Sequence, residues 1–132
     1  MKSDVNGREQ SEVIDNSNTW AMSATGVSTS AVTLTMPAVA GLTACITGVT
    51  VTGVHATATV ESLFKITGLT TFQGGGELDY QFVQSSTLGG LLDLDFSNPI
   101  PASAPNIAIV FNLAAITGGG TVSICAQGFY RR

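Results

Sequence analysis

The chain has 132 residues, a net charge of −4 at pH 7 and charged side chains at only 11% of positions. That length makes one compact domain and not two. Its acidity excludes a nucleic-acid partner, because phosphates are bound by cations that displace their counterions.

A charged share about half the usual one is accompanied by abundant Thr, Ser, Gly, Ala and Val. Branched Cβ atoms suit a pleated strand better than a helix, so the composition predicts an all-β protein. The first residues have no apolar run behind Lys2, and Thr, Ser or Gly interrupts every apolar stretch. The expectation is a soluble protein without a secretory signal or membrane span.

Charge is unevenly distributed. Lys2, Asp4, Arg8, Glu9, Glu12 and Asp15 crowd the start, and no Asp, Glu, Lys or Arg follows until Glu61. A second gap runs from Phe96 to Tyr130 and ends at Arg131 and Arg132. Protein interfaces are depleted of Lys, Glu and Asp at their centres, whereas a solvated monomer covers much of its surface with them. The gaps therefore predict faces covered by partner molecules.

Residues 1–26 are polar and show no sustained period, and they read as an extended N-terminal arm preceding a β-sandwich domain over 27–132. Trp20 is the arm's large anchor, and with Val13 and Ile14 it is the expected contact to a neighbour. From Ala31 the pattern becomes strict alternation, with Val32, Leu34 and Met36 opposite Thr33 and Thr35, until Pro37 ends the strand. Leu42, Ala44 and Ile46 then share a parity that Val49 and Val51 do not, and the phase slips at Gly48 as a β-bulge requires.

A strand from Ala56 to Ile66 leads to a turn at Gly74–Gly76. Leu78, Tyr80 and Phe82 alternate with Glu77, Asp79 and Gln81, and Leu92, Leu94 and Phe96 with Asp93 and Asp95. Residues 98–106 read as a loop. Ile107, Ile109, Phe111 and Leu113 then form one face, with Ala108 and Val110 keeping the reverse side apolar. Gly118–Gly120 turn the chain into Val122, Ile124 and Ala126. Short strands between Gly and Pro turns predict two packed antiparallel sheets, a jelly-roll-like β-sandwich. Val49, Val51, Ala108 and Val110, on uncharged strands, are the expected contacts between copies.

Chemistry is thinly supplied. His55 is the one histidine and reads as a surface or interface turn residue with no carboxylate near it in sequence. No nucleophile motif, phosphate-cradling Gly loop or metal-type cysteine spacing occurs, so no catalytic residue, cofactor, metal or small-molecule substrate is expected. Glu77/Asp79 and Asp93/Asp95 each project from one strand face, where calcium is conceivable but an exposed strand is the simpler account. Cys45 and Cys125 are read either as small reduced thiols or as a bridge between the first and last core strands.

Residues 37–53 (Pro-Ala-Val-Ala-Gly-Leu-Thr-Ala-Cys-Ile-Thr-Gly-Val-Thr-Val-Thr-Gly), residues 99–109 (Pro-Ile-Pro-Ala-Ser-Ala-Pro-Asn-Ile-Ala-Ile) and residues 122–130 (Val-Ser-Ile-Cys-Ala-Gln-Gly-Phe-Tyr) carry a resemblance. From about Val32 onward the chain resembles the small β-sandwich decoration, or cement, proteins of tailed-bacteriophage heads. That resemblance implies a homotrimer on the outer capsid surface of the virion, seated on the major capsid protein, with the arm stapling shell subunits together. Tail, baseplate or head-fibre components are a second structural class. A carbohydrate-binding module stacking sugars on Trp20, Phe72, Tyr80 or Tyr130 is a third.

Overall fold

The computed structural model describes residues 19–70 and 76–132. Its strands are β1 (Thr19–Val27), β2 (Val32–Met36), β3 (Thr43–His55), β4 (Val60–Thr67), β5 (Leu78–Gln84), β6 (Gly90–Pro101), β7 (Ile109–Leu113) and β8 (Gly120–Arg131). They form two antiparallel four-stranded sheets, in the orders β1-β8-β3-β6 and β2-β7-β4-β5. With each sheet drawing on both halves of the chain, this is a jelly-roll β-sandwich.

The core lies between the sheets and follows from period-two alternation. Val32, Leu34 and Met36 face it from β2, Phe64 and Ile66 from β4, and Ile109, Phe111 and Leu113 from β7. Across the other sheet, Ile46, Val49 and Val51 of β3 meet Val122, Ile124 and Ala126 of β8. The β3 register shifts between Ile46 and Gly48 against both neighbours, as the slipped alternation requires. That one-residue bulge returns Val49 and Val51 to the inner face shared by Ala44 and Ile46.

Two boundaries differ from the sequence reading. Residues 19–26 belong to the sandwich and not to an arm, because β1 pairs along its whole length with β8, Trp20 opposite Gly128 and Met22 opposite Ala126. Trp20, Met22 and Ala24 face inward, but the outward side carries Ala21 as well as Ser23 and Thr25, so the hydropathy contrast is weak. Trp20 lies on the core, its ring centroid 6.4 Å from that of Phe111. Gly128 leaves it the room, since a Cβ there would come 2.6 Å from Trp20 Cζ2. The second difference is in the expected loop over 98–106, whose first residues continue β6 with Ile100 opposite Ile46 and Pro101 opposite Cys45. β6 is an edge strand, where a proline costs no ladder bond.

Candidate functional site: an uncharged sheet face

Cross-strand register sorts the outward side chains of the β1-β8-β3-β6 sheet into rungs. One runs Thr19, Phe129, Cys45, Pro101 and the next Ala21, Gln127, Gly48, Asp95. Then come Ser23, Cys125, Thr50, Asp93 and, beyond them, Thr25, Ser123, Thr52, Leu91. Asp93 and Asp95 are the charges in these rungs, both on the β6 edge, and Arg131 opposite Thr43 adds a cation at the far end of β8.

Short hydroxyl side chains hold one another flat across this face. Thr25 Oγ1 and Ser123 Oγ are 2.8 Å apart, and Thr50 Oγ1 donates to Asp93 Oδ1 at 2.9 Å. Thr47 Oγ1 donates to the Gln127 carbonyl at 3.2 Å. Around Gly48 the face dips into an open concavity of about 610 Å³ lined by Ala21, Ser23, Thr50, Asp95, Cys125 and Gln127. Gly48 forms its floor, and a Cβ there would press within 3.3 Å of Gln127 Nε2 and of the Leu94 carbonyl.

The opposite sheet differs. Its β2/β7 half presents Thr33, Thr35, Val110 and Asn112, while the β4/β5 half carries Glu61, Lys65 and Asp79. Lys65 Nζ pairs with Glu77 Oε2 at 3.2 Å. Hydrogen bonding between the adjacent Asp79 and Glu77 carboxyls lowers the Glu77 pKa, with Lys65 adding to that effect, and raises that of Asp79.

The expected contact residues separate. Val49 is 2% and Val51 0% exposed, both inside the sandwich, so neither reaches another molecule. The bulge that moved their phase is the cause. Val110 points outward between Thr35 and Thr67 and is half-buried, as is Ala108 just before β7. Trp20 packs inward instead of offering itself to a neighbour. Val13 and Ile14 lie outside the described residues.

His55 is likewise not a surface residue. It closes β3 at 3% exposure, its Nε2 lies 2.9 Å from the Thr117 carbonyl, and its Nδ1 accepts from the backbone N–H of Thr57 and of Ala58. These partners assign the proton to Nε2 and consume both ring nitrogens in clamping two turns together. Gly118 accommodates the ring, with a hypothetical Cβ 2.9 Å from His55 Cε1.

Both cysteines are free, Cys45 buried and Cys125 exposed. Burial pushes the Cys45 thiol pKa up, and the nearby Arg131 cation opposes that push. Among the described residues no three His, Cys, Asp or Glu side chains gather as a metal site. Of the rings considered for stacking sugars, Tyr80 and Tyr130 pack against the core as Trp20 does, and the Tyr130 hydroxyl donates to the Pro37 carbonyl. Phe72 lies outside the described residues.

Phe129 and Arg131 were not singled out by sequence reasoning. Their signal is parity, since Val122, Ile124 and Ala126 facing inward put Cys125, Gln127, Phe129 and Arg131 on the outside. No protein-family model matches the chain, and no curated protein matches it either.

Proposed function

We propose that this chain is a structural subunit of a virus particle, a decoration or cement protein that seats on the major capsid protein at the outer surface of a tailed-phage head. The observation that best supports an assembling subunit, whichever molecule covers it, is the outer face of the β1-β8-β3-β6 sheet, whose rungs of Thr, Ser, Ala, Cys and Gln carry two carboxylates at one edge. Interfaces are poor in such charges at their centres. The jelly roll recurs in viral capsid domains, although a fold does not by itself assign a role.

The mechanism is additive. A subunit that binds across a joint between capsomers adds buried area that must be lost before the shell opens. Several copies held together, as a homotrimer, multiply weak contacts through effective concentration. The work requires rigid shape and complementary surface, and His55, the one imidazole, is committed to two turns.

The test is to mix the purified protein with undecorated heads. Saturable co-sedimentation, with heads surviving higher temperature before releasing DNA, is expected. Absence of saturable binding overturns the reading, and gold-labelled subunits found on tails instead of heads move the chain to the second structural class.

A further inference from the structure

We infer that copies of this chain meet through the outer face of the β1-β8-β3-β6 sheet, with Arg131 of one copy set against Asp93 and Asp95 of the next. The inference rests on the homo-oligomer proposed above and names the surface that makes it.

The first argument is charge. Lys65 already has an acidic partner in Glu77. Among the described residues Arg131 and Arg132 have no ion-pair partner, and neither do Asp93 and Asp95. Arg131 stands on the outer side of β8, close enough to act on the Cys45 thiol in the neighbouring strand. Asp95 is level with Gln127 through Gly48, and Asp93 with Cys125 through Thr50. At ~3.3 Å per residue and ~4.8 Å per strand, Arg131 and Asp95 sit roughly 16 Å apart on one face. They cannot pair within a chain.

The second argument is what lies between them. The intervening surface is Phe129, Cys45, Thr47, Gln127 and Gly48, with no ionisable group other than the buried thiol. Phe129 faces outward and is half-buried, an aromatic beside an arginine, and both types are enriched where proteins meet. A face with a cation at one corner, anions at the opposite edge and an uncharged middle complements itself. Copies arranged around an axis match cation to anion at each joint.

The experiment is a charge swap followed by sedimentation velocity and light scattering on the full chain. The wild-type chain is expected to self-associate at micromolar concentration. Arg131→Glu and the pair Asp93→Lys with Asp95→Lys each weaken association tenfold or more, about the loss seen when like charges are juxtaposed. The chain carrying all three changes regains association, which a merely misfolded variant cannot do. A wild-type chain that stays monomeric at about 100 µM, single reversals that associate like wild type, or a combined variant that fails to recover overturns the inference. Capsid binding separates the two readings. Monomers that still saturate undecorated heads remove this interface and leave the decoration role standing, whereas a charge-swap pattern without head binding does the reverse.

Discussion

Replacing Gln84 with methionine should stabilise the protein. Gln84 ends β5 on the inner face, opposite Val60, at 0% exposure, and neither its Oε1 nor its Nε2 finds a hydrogen-bond partner among the described residues. The amide lies under the β3 backbone, its Oε1 2.8 Å from where a Cβ on Gly53 would stand. Ser62, two residues along β4 on the same face, has an equally buried hydroxyl without a partner. An amide desolvated without compensation costs about 1–3 kcal/mol. Methionine keeps the length and volume, so repacking returns less than about 1.5 kcal/mol of that. The expected net gain is about 1–2 kcal/mol. It is read as a higher urea midpoint at unchanged slope, or as roughly 3–5 °C in Tm for each kcal/mol at this chain length, with protein concentration held fixed. A variant less stable by 1 kcal/mol or more refutes the reasoning, because the amide must then be hydrogen-bonded in solution.

His55→Ala should cost about 2–4 kcal/mol, since it orphans the Thr117 carbonyl and the amides of Thr57 and Ala58 at about 1 kcal/mol each and leaves a cavity. Faster hydrogen exchange confined to the 56–58 and 117–119 turns checks it. The Glu77/Asp79 pair sets a pH response with two signs. Glu77, lowered, adds stability present above the ordinary glutamate range and lost as pH falls through its folded value. Asp79, raised, adds stability present while it is protonated and lost as pH rises through its folded value. Asp79→Asn keeps a donor on Glu77 and should erase the raised step while retaining the lowered one in an NMR titration of the carboxyl carbons. At a concentration low enough to keep the chain monomeric, folded protein should give one maleimide adduct at Cys125, with Cys45 reacting only after unfolding, because burial both shields the Cys45 thiol and disfavours its thiolate.

Where one strand face was apolar and the other polar, the fold was legible from residues. Val32/Leu34/Met36, Leu92/Leu94/Phe96 and the slip at Gly48 all reappear in the sandwich as its inner face and its bulge. β1 escaped notice because Ala21 and Ala24 sit on opposite sides of it, leaving little contrast to count. His55 read as a turn because Gly53, Ala56 and Thr57 surround it, and its burial depends on Thr117, 62 residues away. Long-range pairing also hid the candidate surface. Asp93, Asp95 and Arg131 share a face only through the strand order β8-β3-β6, which local alternation does not encode. Val49 and Val51 show the reverse error, an apolar pair read as contact surface when the bulge had already turned it inward.

The margins of the first sheet are protected unequally. β6 borders solvent with Asp93 and Asp95 along it, and Pro99 and Pro101 bring no N–H to that margin. β1, at the other margin, presents nine residues without a charge or a proline. Within this sheet, strand-by-strand accretion is therefore easiest at β1, and a copy that pairs β1 to β1 turns its own guarded β6 margin outward. Growth of this sheet through such a β1-to-β1 joint ends after one step, because both margins it leaves are the guarded β6 strands.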